Sequence, residues 1–423
     1  MNTGVFVRIA RRVLPTRTEH VWPTAMPTLP PDLIVAGPAE MTMGPTVDIA
    51  ANGGGLFHRI PALACAPNGD LLIAFDRRPD SADDAPNPNS VVQRRSRDNG
   101  RSWESETVIH GGVPGSAKVG YSDPCYLVDN ATAEIHNFHV ISYDRGFGDS
   151  QAGADPTDRN VLHVEVSTSR DNGHTWTHRD ITDEITTDST TTSRFVASGQ
   201  GIAILHGRYQ GRLVAQMTVR NAAGQQAQSI YSDDHGVTWQ AGEPVGQMMD
   251  ENKVVELSDG ILMLNSRDAN RSGHRKVAYS HDGGETWGVV SLVDDLVDPT
   301  NNGQIFRAFP NVHEGCARAR VLLFTNSCHA TDRVDATLSV SCDDGRTWPT
   351  HQLYMPGEVG YTTVVVQADG RLGVAWERNG IHFATLTTGW LDSVCPEPED
   401  AEDADDLGER PHVHPTALPN VGV

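Results

Sequence analysis

The chain has 423 residues, too many for one ordinary compact domain of ~100–200 residues, yet no shift in composition divides it. Its 33 basic and 55 acidic residues leave a formal charge of −22, which argues against nonspecific binding to nucleic acid or anionic membranes. No stretch approaches the ~20 apolar residues that a membrane span requires.

Residues 1–44 read as an N-terminal extension, partly ordered at most. The opening "MNTGVFVRIARRVLPTRTEH" is basic but lacks the ~7–15-residue apolar core of an export signal, so an intracellular address is favoured, with secretion the alternative. Beyond it, short runs rich in Val, Ile, Thr, Tyr and Phe alternate with Gly, Asn and Asp clusters, as in "GRLVAQMTVRN" and "RVLLFTNS". Long amphipathic helical stripes are hard to find, and the pattern is all-β.

Within that pattern, "FHRIPAL" (57–63) sets Arg59 into an apolar run two residues before a proline. Removing water from a guanidinium costs several kcal/mol unless it is paired, so Arg59 faces either solvent or an anion. Further chemistry-bearing residues follow in similar settings. They are Asp84 in "SADDAPNPNS", Asp123 in "GYSDPCY", Glu251 in "MDENKVVEL", Arg267 ending "GILMLNSR" and Arg333 in "HATDRVDATLSV". Tyr361 lies between Gly360 and the run "TTVVV", and Glu377 in "GVAWERNG"; Arg307 in "QIFRAFP" reads as structural. From Glu397 to Glu409 there are eight acids, so residues 393–423 read as a disordered, solvated tail. The six cysteines show no CxxC pair and read as buried free thiols. "HVH" at 412–414 lacks a plausible third ligand, so no metal site and no cofactor are expected.

One turn is written five times. "SRDNGRSW" begins at Ser96, "SRDNGHTW" at Ser169, "SDDHGVTW" at Ser232, "SHDGGETW" at Ser280 and "SCDDGRTW" at Ser341. The Asp accepts backbone N–H bonds across the turn, the Gly takes a left-handed conformation, and the Trp packs on the strands beneath. Small antiparallel sheets that cannot bury both faces alone stack radially. Residues 45–392 therefore predict a six-bladed β-propeller of four-stranded antiparallel blades, of about 58 residues each, with one end blade lacking the turn. The turn aspartates read as scaffold. In a propeller the innermost strands face the axis, so residues about one blade apart in sequence meet there.

"FHRIPAL" followed by repeated Ser-x-Asp-x-Gly-x-Thr-Trp turns resembles the bacterial sialidases, or exo-α-neuraminidases, over about residues 45–390. The resemblance implies that Arg59, Arg267 and Arg333 clamp a substrate carboxylate. It makes Tyr361 the nucleophile, Glu251 its partner acid, Asp84 the acid/base and Glu377 the support of the first arginine. "SADDAPNPNS" departs slightly by offering Asp83 beside Asp84. The chemistry agrees independently. Sialic acid carries a carboxylate on its anomeric carbon, which three guanidiniums bind well and which would repel a carboxylate nucleophile. Asp123 matches a substrate-contacting acid or a turn acid. Val140, Phe147 and Phe195 suit the apolar wall around an N-acetyl methyl or the plain core, and Asn301 suits a hydroxyl contact or a turn. The implied activity is retaining hydrolysis of terminal α-linked sialic acid through a tyrosyl-enzyme, by a monomer acting on sialylated oligosaccharides, glycoproteins or glycolipids. A non-hydrolytic sialoglycan-binding propeller and a trans-sialidase are the alternatives.

Overall fold

A computed structural model describes residues 40–312 and 316–396. Most of the 1–44 extension, the acidic tail and the "HVH" triplet lie outside the described residues. Within them, the strands form six sheets arranged as a six-bladed propeller. Blade 1 runs Leu56–Cys65, Leu71–Pro79, Ser90–Ser96 and Thr107–His110. Blade 2 runs Gly120–Asp129, Glu134–Ser142, His163–Ser169 and Thr177–Asp180, with Gly199–Gln200 added in parallel beside its inner strand. Blade 3 runs Ser193–Val196, Leu213–Asn221, Gly224–Ser232 and Gln240–Ala241, with Ile202–Ala203 paired to its second strand. Blade 4 spans Met249–Glu256 to Ser291–Val297, and blade 5 spans Gln304–Arg307 to Thr350–Glu358.

Blade 6 takes Thr362–Val366, Leu372–Glu377 and Gly380–Leu386 from the end of the chain and Val47–Ala51 from its beginning. The end blade expected to lack the turn is thus the last one, closed by a strand from before blade 1. That explains the missing sixth turn. In blades 1–5 the turn joins the third strand to the fourth, and in blade 6 those two strands are not consecutive in the chain.

Middle strands are apolar on both sides because neighbouring blades cover both faces. Leu71, Leu72, Ile73, Ala74 and Phe75 are all fully buried, which a half-exposed strand would not require. Each core cluster joins two blades: Leu338 and Tyr354 of blade 5 meet Trp376 and Leu386 of blade 6, and Phe138 and Val166 of blade 2 meet Met217 and Trp239 of blade 3.

The repeated turns behave as expected. Ser96 Oγ accepts the Gly100 N–H at 2.8 Å and donates to Asp98, whose carboxylate takes the Ser102 N–H at 2.8 Å and its hydroxyl at 2.6 Å. These bonds hold the Asp98 carboxyl down at about 2, led by the Ser102 hydroxyl. Trp103 stacks edge-on against Phe383 of blade 6 at 5.1 Å.

One cysteine expectation is corrected. Cys342 and Cys395 form a disulfide, while Cys65, Cys125, Cys316 and Cys328 are free. Trp390 and Leu391 dock into the core shared by blades 5 and 6, and the short helix Leu391–Val394 carries Cys395 to the fifth turn. A separation of 53 residues hides that pairing from sequence spacing.

Gly100 has φ +82°, and a Cβ added there would lie 2.1 Å from Phe383 Cε1. Gly100→Ala should therefore cost about 1–3 kcal/mol of stability, read as a lower urea midpoint. An unchanged midpoint would show that the turn does not lock blade 1 to blade 6.

Candidate active site

Three innermost strands are interrupted where the candidate residues sit. In blade 1 the register shifts between Arg59 and Ala62, and in blade 2 between Ser122 and Cys125. Each shift contains a proline, Pro61 or Pro124, which lacks the N–H that a ladder needs. The residues before them, Ile60 and Asp123, take φ of +63° and +64°. Blade 4 shifts between Met249 and Asn252, around Glu251. These bulges turn polar side chains out of the ladder and free backbone N–H groups for carboxylates.

Glu377 uses both kinds of opening. Its Oε1 accepts the Ile60 N–H at 2.5 Å, while Oε2 lies 3.6 Å from Arg59 Nη2 and accepts the Tyr361 N–H at 3.3 Å. One buried carboxylate thereby sets the position of Arg59 and of Tyr361. Gly360 is required beside it, since a Cβ there would stand 2.4 Å from Glu377 Oε2.

Around Tyr361 the three expected arginines converge. Arg267 Nη1 donates to the Tyr361 hydroxyl at 3.1 Å and to Glu251 at 2.7 Å. The Arg59 and Arg333 guanidiniums lie 5.6 and 5.5 Å from the centre of its ring. Arg333 is steadied by the Thr300 carbonyl at 3.1 Å. The Tyr361 hydroxyl also bonds to Glu251. Burial and the Glu251 charge push the phenol well above its ordinary value, although Arg267 and Arg333 pull it down. Burial would also raise Glu251, but Arg267, Lys253 and the Tyr361 bond hold it below the usual carboxylate range. The resting pair is thus a neutral phenol against a carboxylate.

Asp84 stands at the rim, with its side chain 77% exposed, 3.5 Å from Arg59 and 2.6 Å from Arg78. Asp83 is exposed and outside these contacts, which separates the two adjacent acids. Burial works to raise the Asp84 carboxyl, but Arg78, with Arg59 and Arg267, brings it below its ordinary value.

Arg78 and Asp76 are residues that sequence reasoning missed. Arg78 is 1% exposed and holds Asp76 through Nε and Nη2 at 3.1 and 2.8 Å, as well as Asp84. Desolvation pushes the fully buried Asp76 up to about 6 against the pull of Arg78. The Asp76 carboxylate also accepts the Asp123 N–H at 3.0 Å, and burial together with Asp76 and Asp84 raises the Asp123 carboxyl well above the usual range. In sequence, "FDRRPD" looks like an ordinary strand end; only the alternation that puts Asp76 and Arg78 on one face could have flagged the pair.

The remaining candidates divide. Phe147 and Phe195 meet edge-to-face at 5.1 Å, and Gly146 brings that loop against the Ala85 carbonyl, beside Asp84. Val140 is buried opposite Ser122, next to Asp123. Asn301 is fully buried, and its amide donates to Ser327 Oγ at 2.8 Å and the Gly360 carbonyl at 2.7 Å. It braces the approach to Tyr361, a role the "NNG" reading did not include.

The family model for BNR repeat-like domains matches residues 71–374. A sialidase of Micromonospora viridifaciens is 52% identical over 352 residues, covering 82% of this chain and 54% of its own length. A Bacteroides fragilis sialidase is 27% identical, covering 83% of this chain and 65% of that protein. Among solved structures, a Hadza microbial sialidase superposes with a TM-score of 0.70 at 29% identity, over 78% of this chain and 65% of that one. The chain thus spans about half to two thirds of the length of these relatives. With its bladed fold and its repeated turns, the chain belongs to the BNR repeat-like family, and over most of its length it is similar to bacterial sialidases.

Proposed function

We propose that the protein is a retaining exo-sialidase that hydrolyses terminal α-linked sialic acid through a covalent intermediate on Tyr361. The observation that carries this reading is the Tyr361 hydroxyl held between Arg267 and Glu251, with Arg59 and Arg333 beside its ring. A site that only bound sialoglycans would need the arginines but not the phenol–carboxylate pair.

The substrate carboxylate docks on Arg59, Arg267 and Arg333, where planar guanidiniums give charge-assisted bonds. Its negative charge offsets the arginines that depress Asp84, so the acid gains proton affinity when it must donate to the leaving oxygen. Tyr361 then attacks the anomeric carbon as Glu251 takes its proton, and Asp84, now ionised, activates the water that cleaves the tyrosyl bond. Two displacements retain configuration. Phe147 and Phe195, near the Asp84 loop, suit the acetamido side of the sugar.

The central test is a comparison of sialyllactose with an aryl sialoside. Tyr361→Phe should abolish cleavage of both, and a fluorinated sialyl donor should label the unmodified enzyme at Tyr361 only. Asp84→Ala should slow sialyllactose roughly 10²–10⁴-fold while sparing the aryl substrate, whose good leaving group needs little protonation. Equal damage to both substrates would remove Asp84 from the acid role. Adding lactose to the reaction reports transfer as a new sialylated product.

The arginines make a second prediction. Arg333→Ala should weaken binding of a sialic acid analogue by about 2–5 kcal/mol if the pair is desolvated. Unchanged affinity would take Arg333 out of the clamp.

The pH profile supplies a third. The Glu251 carboxyl lies below its ordinary value of 4.5 and must be ionised, so the acid limb of kcat/KM should fall below pH 4.5. An acid limb near pH 6 that survives in Asp84→Ala would point to Asp76 as the controlling group.

A further inference from the structure

A second cluster of titratable groups lies away from the arginine pocket, on the outer strands of blades 1 and 2. Glu165 of His163–Ser169 receives three imidazoles on a single oxygen. His110 Nδ1 lies 2.5 Å from Oε1, His139 Nε2 2.9 Å and His178 Nδ1 3.4 Å. Glu165 is only 6% exposed, and its ion partners among the described residues are all histidines. Three other buried acids meet a guanidinium, Asp76 with Arg78, Glu251 with Arg267 and Asp298 with Arg275, while Asp129 meets a single histidine, His235. A buried carboxylate facing only imidazoles lacks a permanent counter-charge.

We propose that His110, Glu165 and His178 bind one divalent transition-metal ion of the zinc class, clamping the outermost strand of blade 1 to blade 2. Their ligand atoms lie within 4.8 Å of one another. Zinc binds imidazole nitrogen and carboxylate oxygen at ~2.0–2.2 Å, so tetrahedral ligand atoms sit ~3.3–3.6 Å apart; His110 Nδ1 and Glu165 Oε1, 2.5 Å apart, open by about 1 Å to admit the ion. Imidazole with carboxylate suits zinc, cobalt and nickel over calcium or magnesium.

The surroundings orient the ligands. His110 stacks on Tyr121 with ring centres 3.7 Å apart and lies 4.1 Å from the His178 ring, which fixes both planes. Ser167 Oγ stands 2.7 Å from His178 Nδ1, and a donated hydroxyl hydrogen keeps that nitrogen's proton on the far side of the ring. A change of the Ser167 side-chain rotamer, which swings Oγ away, then exposes the lone pair to the ion. The fully buried His139 donates from Nε2 to Glu165 at 2.9 Å when the Asn137 amide, 3.2 Å from its Nδ1, presents NH₂ to that nitrogen. Carboxylate ligands are commonly supported by such a hydrogen bond. Side chains of His110 and His178 are 25% and 32% exposed, leaving an entry path and a fourth position for water. Binding displaces the proton that His110 shares with Glu165, and that proton goes to solvent. The ligands come from positions 110, 165 and 178 on two blades, so no local motif announces them.

The test uses the full chain stripped with a chelator and titrated with zinc chloride by calorimetry, with cobalt absorption as a second reading. One ion per chain should bind, with release of protons, and the thermal midpoint should rise with zinc concentration. His178→Ala, at the surface, should weaken binding ~100-fold or more, beyond the 10–100-fold lost when only a supporting hydrogen bond is removed. Glu165→Gln should do the same, and His281→Ala, an exposed histidine elsewhere, should change nothing. Equal zinc affinity in His178→Ala and the unmodified chain, or no stoichiometric binding at all, overturns the site. Binding without any rise in the midpoint overturns the clamp.

Discussion

Four guanidiniums can share one pocket only because most of them have a carboxylate held against them. Arg59 has Glu377, Arg78 has Asp76, and Arg267 has Glu251 and Asp250. Arg333 is steadied by a carbonyl instead. Like charges at this spacing would otherwise repel and, stripped of water, cost several kcal/mol each. The carboxylates do more than neutralise. Glu377 also takes two backbone N–H groups, so the charge balance and the backbone path are fixed by the same atoms. Removing it would disturb Arg59 and Tyr361 together.

The site is built from interruptions of regular structure. A regular blade ties up the N–H and C=O groups between its strands in its own ladder and offers an axial surface with little chemistry. At Pro61, Pro124 and the Asp250–Glu251 step the inner ladders break, and the freed donors turn to Glu377, Asp76 and Asp250. The rigid outer strands and interlocked turns hold these irregular segments in place. Irregular backbone sits inside; regular packing surrounds it.

How much of this was legible in the sequence follows from what repeats. The turn occurs five times, so its Ser, Asp, Gly and Trp announced blades, and "FHRIPAL" announced a charged residue beside a ladder-breaking proline. Tyr361 and the three arginines emerged from their settings and the family resemblance, and they converge here. Arg78 escaped because an arginine near a strand end is common, and its burial is created by the fold around it. Asn301 read as a hydroxyl contact or a turn residue because a brace between Ser327 and Gly360 has no local signature. The Cys342–Cys395 bond depends on a helix docking after the last strand, a tertiary event that spacing does not encode.

The seam in blade 6 bears on how the protein is made. Val47–Ala51 pairs with Gly380–Leu386, so the first strand of the propeller to leave the ribosome finds its partner in the propeller's last strand. Until then Val47–Ala51 is an unpaired edge, and the sheet it completes does not exist. Synthesis at ~5–20 residues per second makes that wait tens of seconds, during which the apolar faces of blades 1 and 5 that blade 6 covers stay bare. The ring therefore closes only after translation has passed residue 386, and blades formed earlier cannot gain their last neighbour before that moment. A chain released short of that point would keep its repeated turns and still lack a closed axis on which to assemble the arginine pocket.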